Sequence, residues 1–269
     1  MSEEYKQELA AIFDARAINY DEDNLRAGLA NRLVEIAKPQ PGERVLDIAT
    51  GTGLVAIPTA RRIGEGGRVV GVDLSKGMLD RASRDVEAEG LGNVELIHVD
   101  AEKLAFPPSS FDLILCSSAL PYMSEIPARL RLWHDILKPG GRLAFNCWSD
   151  ATYDMGPLLR SVADRHNIEL PRTVEQVGSP YRCRVVLSGA GFARSEVVVD
   201  PLGKFITMEE AERAWDRWMK NPIFHPRSSD EAIRLAGLRG EYIEEARRRL
   251  TEKGIWDEAT VYYLTAWKA

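Results

Sequence analysis

The sequence contains few of the residues that stabilise secreted or metal-binding proteins. Only three of its 269 residues are cysteine and four are histidine. Cys116, Cys147 and Cys183 are odd in number and far apart, so their spacing indicates neither a disulfide framework nor a metal site. We therefore expect reduced thiols, a cytoplasmic location and no bound metal ion.

Long hydrophobic runs and an excess of basic residues are also missing. No apolar segment approaches the roughly 18 residues that span a bilayer, and the chain does not open on a basic segment followed by an apolar core. The net charge is −6, whereas nucleic acids and acidic membranes attract clusters of Lys and Arg. These absences disfavour nucleic-acid and membrane partners and favour a small-molecule partner. The oligomeric state is not indicated.

Strand and helix patterns alternate regularly from residue 44 onward. Strand patterns occupy 45–49, 68–72, 94–99, 111–116, 142–147, 192–199 and 260–267. This alternation predicts an α/β fold with right-handed crossovers and a mostly parallel sheet covered by helices on both faces. We interpret the chain as a single domain, 1–269, with four parts: an N-terminal helical lid (1–40), a cofactor-binding core (44–200), a helical cap insertion (201–258) and a final strand that returns to the sheet (259–269).

A glycine-rich segment follows the first strand. Gly51 and Gly53 lie between a strand and a helix, where unpaired backbone N–H groups favour an anionic or hydrogen-bonding ligand. Together with Asp73 they satisfy a dinucleotide-binding fingerprint, so the glycines alone do not distinguish between cofactors. Asp47, at the end of the first strand, would repel a pyrophosphate but suits the ammonium group of S-adenosylmethionine.

Four segments in order resemble the motifs of class I S-adenosylmethionine-dependent methyltransferases, most closely the branch of ubiquinone/menaquinone-biosynthesis C-methyltransferases and similar small-molecule enzymes. They are 45–53, 70–75, 100–101 and 137–143. The resemblance spans about 13–192 and implies a Rossmann-like, seven-stranded sheet, with S-adenosylmethionine as methyl donor and S-adenosylhomocysteine as product. Ala49 replaces the first glycine of the usual D-x-G-x-G-x-G pattern, and we expect only a modest change in the turn.

The resemblance also implies which residues contact the cofactor. They are Tyr20, Asp47, Ala49, Gly51, Gly53, Asp73, Leu74, Met78, Asp100, Ala101 and Ser117. In this interpretation Asp47 and the following turn hold the methionine part. Asp73 accepts hydrogen bonds from both ribose hydroxyls. Leu74 and Met78 flank the adenine, and Asp100 accepts from its exocyclic amine.

The acceptor is expected beyond the carboxyl ends of the fourth and fifth strands, where open α/β sheets bind ligands. Candidate substrate-binding residues are Tyr122, Trp148, Tyr153, Trp215 and Trp218. The last two share one face of a predicted helix, which fits either packing against the core or the wall of an apolar acceptor pocket.

Methyl transfer is an in-line displacement at an activated sulfonium. Positioning alone contributes roughly 7–11 kcal/mol in well-oriented reactions, so a general base is optional. The sequence assigns no catalytic residue; Tyr122, His166 and His225 are the candidates. We predict methyl transfer to a small, fairly apolar acceptor, aromatic or quinol-like. An NAD(P)-dependent oxidoreductase is disfavoured by Asp47 and by the absence of a Tyr-x-x-x-Lys pair. A methyltransferase fold kept as a non-catalytic binding subunit is the other alternative.

Overall fold

The structure, a computed structural model, describes residues 3–22, 24–150, 155–170, 175–220 and 228–269. The helices are α1 (Glu3–Arg16), α2 (Asn24–Ala37), α3 (Ala56–Ile63), α4 (Lys76–Ala88), α5 (Ile126–Ile136), α6 (Gly156–Arg165), α7 (Pro180–Gly189), α8 (Met208–Lys220), α9 (Ser229–Ala236) and α10 (Arg239–Arg248). The strands are β1 (Arg44–Ile48), β2 (Arg68–Asp73), β3 (Val94–His98), β4 (Phe111–Ser117), β5 (Leu137–Trp148), β6 (Arg194–Pro201), β7 (Lys204–Ile206), β8 (Ile255–Asp257) and β9 (Thr260–Trp267). None of the helices in these ranges has the length and apolar character needed to cross a bilayer.

Seven strands form the main sheet in the order β3-β2-β1-β4-β5-β9-β6. The pairs β1·β2, β2·β3, β1·β4 and β4·β5 are parallel. Val45, Leu46 and Ile48 of β1 are completely buried, as expected for a central strand covered on both faces. The predicted seven-stranded, mostly parallel α/β fold is confirmed. Because the strand order reverses beside β1, the carboxyl ends of β1 and β4 border the crevice where such sheets bind ligands.

The fifth strand begins earlier than the sequence pattern indicates. The pattern predicts a start at Arg142, after a Pro-Gly-Gly turn, but β5 begins at Leu137, which pairs with Phe111 of β4. The register shifts before Arg142 pairs with Leu113, and Gly140 has a φ of 73°. The turn residues therefore form an irregularity within the strand, because glycine accommodates the positive φ that such an irregularity requires.

Contacts divide the chain into two compact units. The first comprises 1–147, 183–198 and 263–269, and the second comprises 148–182 and 199–262. The second unit therefore includes α6, in addition to the 201–258 segment expected to form a cap. Helix α6 belongs to the second unit because it shares a hydrophobic core with α8 and α10. Leu158 and Val162 of α6 are buried in the same cluster as Trp215 of α8 and Tyr242 of α10.

Candidate cofactor site

A cavity in the first unit lies at the carboxyl ends of β1, β2 and β4. It encloses about 810 Å³ with its open mouth included. Nine of the eleven residues predicted to contact the cofactor line it: Tyr20, Ala49, Gly51, Asp73, Leu74, Met78, Asp100, Ala101 and Ser117. The structure thus brings together residues that are up to 97 positions apart in the sequence.

Asp47 lies beneath the turn and outside the described cavity wall. Its side chain is 1% exposed, and its Oδ2 accepts a hydrogen bond of 2.6 Å from the Thr50 hydroxyl. Burial raises the pKa of Asp47 to about 7; the charge of Asp73 adds to this rise, while the hydrogen bonds from Thr50 and the Ala56 N–H oppose it. The structure places Asp47 as a support for the turn, and its contact with a cofactor ammonium group stays a prediction.

The turn after β1 depends on residues with positive φ. Gly53 has a φ of 90°, and a Cβ there would lie 3.1 Å from Ile57 Cδ1. Gly53 is therefore needed for the close packing of the turn against α3, and it too lies outside the described cavity wall. Gly51 and Ala49 line the cavity with φ values of 57° and 53°. Ala49 thus adopts the left-handed conformation that glycine accepts more readily.

Asp73, at the end of β2, is a rigid acceptor in the cavity wall. Its Oδ2 accepts the Gly51 N–H and its Oδ1 accepts the Ser75 N–H, each at 2.8 Å. Burial raises the pKa of Asp73, and the backbone N–H groups of Ser75, Gly51 and Leu74 oppose the rise. A carboxylate held in this way is oriented to accept further hydrogen bonds from ligand hydroxyls. The two backbone hydrogen bonds explain the fixed orientation of Asp73, and its contact with the ribose stays a prediction.

A buried lysine on α1 forms part of the same site. Lys6 is 9% exposed, and its Nζ lies 2.6 Å from Asp100 Oδ2 and 2.7 Å from Glu102 Oε2. Burial raises the pKa of Glu102, but Lys6 and the Ser124 N–H and hydroxyl outweigh it and hold that pKa below its usual value. Burial lowers the pKa of Lys6, and its two carboxylate partners reverse this effect, leaving the pKa raised.

Sequence reasoning missed Lys6, although a signal was present. Lys6 shares one face of α1 with Leu9, Ala10 and Phe13, all of which line the cavity. A single charged residue on the apolar face of a helix indicates a buried partner of opposite charge. Its partners follow β3, about a hundred positions later in the chain, so only the folded protein reveals them.

Asp14 secures the other end of α1 to α4. Its Oδ1 accepts hydrogen bonds from the Ser75 hydroxyl at 2.6 Å and from the Gly77 N–H at 2.8 Å. The Ser75 Oγ in turn accepts the Met78 N–H and so caps α4. Since Lys6 contacts the segment after β3 and Asp14 contacts the segment after β2, α1 is fixed across both segments that carry the predicted adenine and ribose partners.

Aromatic side chains form another part of the cavity wall. The Phe13 ring meets the Tyr122 ring edge-on at 5.3 Å and the Tyr20 ring at 6.2 Å between centroids. All three residues line the cavity. Burial is the main cause of the raised pKa of Tyr20, so its phenol stays protonated at neutral pH. Tyr122 therefore lies in the cavity wall, and its role in acceptor binding and catalysis stays a prediction.

The other candidate residues belong to the second unit or lie outside the described residues. One ring nitrogen of His166 is 2.6 Å from Glu241 Oε2, in a half-exposed hydrogen-bond contact. Trp215 and Trp218 are buried in the core of the second unit, which supports the packing interpretation. Trp148 is half-buried at the end of β5. Tyr153 and His225 lie outside the described residues.

The chain is similar to known methyltransferases. A family model described as "Methyltransferase domain" matches residues 45–141. An aklanonic acid methyltransferase from Streptomyces sp. (strain C5) is 37% identical over 143 residues, which cover 52% of this chain and 65% of that protein. The chain thus spans less than two thirds of that relative. A ubiquinone/menaquinone biosynthesis C-methyltransferase from Teredinibacter turnerae is 32% identical over 212 residues, which cover 70% of this chain and 84% of that protein.

A solved structure gives the same result. The S-adenosylmethionine-dependent methyltransferase from Aquifex aeolicus matches with a TM-score of 0.55 and 26% identity, covering 69% of this chain and 91% of that one. The chain belongs to the class I S-adenosylmethionine-dependent methyltransferases of small molecules. Its cofactor is S-adenosylmethionine, and a dinucleotide-dependent oxidoreductase is not favoured. The site fits this cofactor. Gly51 leaves space for a ligand beside Asp73, which is a fixed acidic acceptor, and beside the apolar side chains of Leu74 and Met78.

Proposed function

We propose that this enzyme transfers a methyl group from S-adenosylmethionine to a small, fairly apolar acceptor, aromatic or quinol-like, in the cytoplasm. The observation that carries the proposal is a single cavity with an acidic part and an aromatic part. Asp73 and Asp100 supply the acidic part, and Phe13, Tyr20 and Tyr122 supply the aromatic part. When bound, the cofactor would supply an activated methyl group on a positively charged sulfur.

The residues of the chain would hold and orient the two reactants. Asp73 would accept from the ribose hydroxyls, and Leu74 and Met78 would flank the adenine. Asp100, oriented by Lys6, would accept from the adenine amine. In this arrangement residues 1–40 would act as a lid. Leu9 and Phe13 of α1 line the cavity, and they would shield the bound reactants from water.

The acceptor would bind beside the aromatic wall. Aromatic rings prefer edge-to-face or offset packing, which Phe13 and Tyr122 already show with each other. Two similar proteins are named for aklanonic acid and for ubiquinone/menaquinone biosynthesis, and these names support a small organic acceptor. The protonated phenol of Tyr20 can donate a hydrogen bond but does not serve as a general base, so positioning is the main contribution of the enzyme.

Calorimetry tests the cofactor half of the proposal. The wild type should bind S-adenosylhomocysteine, and Asp73→Ala should weaken binding at least about tenfold, since a charged acceptor of hydrogen bonds is worth roughly 1.5–3 kcal/mol. Asp80→Ala, which removes an exposed carboxylate paired with Lys76 on α4, is the matched control and should bind normally. Equal binding by the wild type and Asp73→Ala would overturn the ribose assignment.

A product screen tests the acceptor half. The protein is incubated with S-adenosylmethionine and separate panels of phenols, quinols and amines, and methylated products are detected by mass spectrometry. We expect products from the phenol or quinol panels. Cofactor binding without any methylated product would favour the non-catalytic alternative, and products from aliphatic amines alone would contradict an aromatic acceptor.

A further inference from the structure

Ser118 lines the cavity. It lies on the β4 side of β1, whereas the predicted adenine and ribose partners lie on the β2 side. In the sheet order, β2 and β3 lie on one side of β1, and β4 and β5 lie on the other. Asp73 is the last residue of β2 and Asp100 follows β3, whereas Ser118 follows β4. A cofactor with its adenine near Asp100 and its ribose near Asp73 would point its methionine part towards β1 and β4. Ser118 would then lie on the side from which the acceptor approaches.

Asn146 of β5 forms hydrogen bonds with the backbone N–H and with the hydroxyl of Ser118. The backbone N–H of Ser118 donates to Asn146 Oδ1 at 2.9 Å, and Asn146 Nδ2 donates to Ser118 Oγ at 3.0 Å. Asn146 is completely buried. The orientation of its amide is settled by chemistry: a backbone N–H can only donate, so the atom that receives it is the oxygen and the other atom is the NH₂ group.

This arrangement determines the direction of the Ser118 hydroxyl. Its oxygen already accepts a proton from Asn146, so its own proton must point to another partner. Among the described residues, Ser118 Oγ forms no other hydrogen bond, and the residue lines the cavity. Ser118 also has a φ of 55°, a conformation that residues other than glycine rarely adopt and that the bonds to Asn146 hold in place.

We propose that Ser118 is a specificity-determining residue of this methyltransferase, and that its hydroxyl donates a hydrogen bond to an oxygen lone pair on the acceptor molecule. Asn146 is the positioning residue that makes this hydroxyl a donor. The inference rests on the proposed function and narrows its substrate class to acceptors that carry a carbonyl, phenolate or similar oxygen close to the methylated atom. The carboxylate of the cofactor offers the same chemistry, so the experiment separates the two sources.

Three bicyclic probes of similar size test the direction of the hydroxyl. 1-Indanone offers only oxygen lone pairs, indole offers only an N–H donor, and indane offers neither. Their dissociation constants are measured by ligand-observed NMR with S-adenosylhomocysteine present. The wild type should bind 1-indanone about three- to tenfold more tightly than indane, the range that one neutral hydrogen bond supports. Indole should show no such advantage.

Variants at Ser118 and Asn146 identify the donor. Ser118→Ala and Ser118→Gly should abolish the preference for 1-indanone; the glycine variant also suits the positive φ, so it retains the fold if the alanine variant does not. Asn146→Asp is measured from pH 6 to pH 9, because a buried carboxyl group ionises only at raised pH. An ionised carboxylate accepts the Ser118 proton, so the Ser118 lone pairs would face the cavity and the preference should shift from 1-indanone towards indole.

The matched control is Ser109→Ala. Ser109 precedes β4, is exposed and has a φ of 56°, so the substitution places alanine in the same strained conformation at the other end of the strand. The preference of this variant for 1-indanone should equal that of the wild type. Circular dichroism spectra of all variants show whether the fold is retained.

Each outcome supports or overturns the proposal. It is overturned if the wild type does not prefer 1-indanone to indane, or if both Ser118 variants keep that preference. It is also overturned if Ser118→Ala weakens S-adenosylhomocysteine binding tenfold and leaves the probe preference intact, because the hydroxyl then serves the cofactor. Absence of S-adenosylhomocysteine binding in the wild type would contradict the proposed function instead; the probe preference, measured without the cofactor, still decides on Ser118.

Discussion

An unfavourable conformation or charge state occurs at two residues around the end of β1, Asp47 in the strand and Ala49 in the turn after it. Ala49 has a φ of 53°, and Asp47 is buried beneath the turn with a pKa raised to about 7. Such strain is characteristic of functional sites, where the surrounding structure maintains it. Each of these features can be tested by a single substitution.

Ala49→Gly should stabilise the protein. A left-handed alanine costs roughly 1–2 kcal/mol, whereas glycine costs roughly 0.5–1 kcal/mol more than alanine to order from the unfolded chain. The free energy of urea unfolding should therefore rise by about 0.5–1 kcal/mol. Ala11→Gly makes the same change on the exposed face of α1, where φ is helical, and should lower stability by a similar amount. A lower free energy of unfolding for both variants would show that Ala49 is not strained.

Asp47→Asn should change how stability depends on pH. The folded pKa of about 7 lies above the unfolded value of about 3.9, so the folded state binds more protons and the wild type loses stability as pH rises from about 4 to 7. The asparagine variant should gain stability relative to the wild type by about 1 kcal/mol per pH unit in this window. Urea unfolding of both proteins between pH 4 and pH 8 measures this difference in the free energy of unfolding.

The control for this pH dependence is Asp112→Asn. Burial raises the pKa of Asp112, but Lys138 and the Arg44 N–H outweigh it and hold the pKa below its usual value. Stability from Asp112 is therefore lost only as pH falls through the low folded pKa. Relative to the wild type, Asp112→Asn should show a constant loss above about pH 5. A flat difference for Asp47→Asn as well would show that the raised pKa is wrong.

Among the structural elements, α1 joins the N-terminal part of the chain to the cofactor site. Its apolar face contributes Leu9 and Phe13 to the cavity, and Lys6 and Asp14 attach it to the segments after β3 and β2. An element held by a few polar contacts can open locally at less cost than global unfolding. Lys6 and Asp14 therefore attach the proposed lid to the segments that border the cavity.

Lys6→Met should accelerate release of the product cofactor. Methionine keeps the length and the apolar stem of the lysine side chain but leaves Asp100 and Glu102 without their cation. This loss destabilises the closed position of α1 by about 2 kcal/mol. The dissociation rate of S-adenosylhomocysteine in stopped-flow measurements should rise at least about fivefold. Lys76→Met, which breaks an exposed pair with Asp80, should leave the rate unchanged. Equal rates for Lys6→Met and the wild type would contradict the role of α1 as a lid.

At the scale of the whole molecule, the chain forms two compact units, each with its own buried core. All the described residues of the cavity belong to the first unit. In the second unit, Trp215 packs against Tyr242 with ring centroids 5.1 Å apart, and the Tyr242 hydroxyl donates to the carbonyl of Ala211 at 3.0 Å. The core of the second unit therefore depends strongly on these aromatic side chains.

Trp215→Ala should destabilise the second unit and spare the cofactor site. Truncating a buried tryptophan costs roughly 3–5 kcal/mol. Hydrogen exchange should accelerate in α6, α8 and α10 but not in β1, β2 or β4, and S-adenosylhomocysteine affinity should not change. Trp256→Ala, at an exposed position of β8, should have little effect. An altered Michaelis constant for the acceptor with unchanged exchange rates would favour the substrate-binding role of Trp215.

Much of the fold and part of the site could be predicted from local patterns. The strands of the main sheet were predicted within a few residues, apart from the early start of β5, because buried parallel strands appear as short apolar runs between turns. Nine predicted cofactor residues line the cavity because they follow the carboxyl ends of neighbouring strands. Lys6 and Asn146 were not predicted, since their partners lie 94 and 28 positions away. The division into two units was missed because α6 joins a core formed later in the chain.

The sequence by itself determined the succession of strands and helices along the chain, the glycine turn and the carboxylate at the end of β2. These features depend on contacts between residues that are close in the chain. The tertiary structure decided which polar groups face the cavity. It placed Asp47 beneath the turn, attached α1 through Lys6 and Asp14, and fixed the Ser118 hydroxyl through Asn146. These arrangements result from hydrogen bonds and burial between distant segments, which local patterns do not encode.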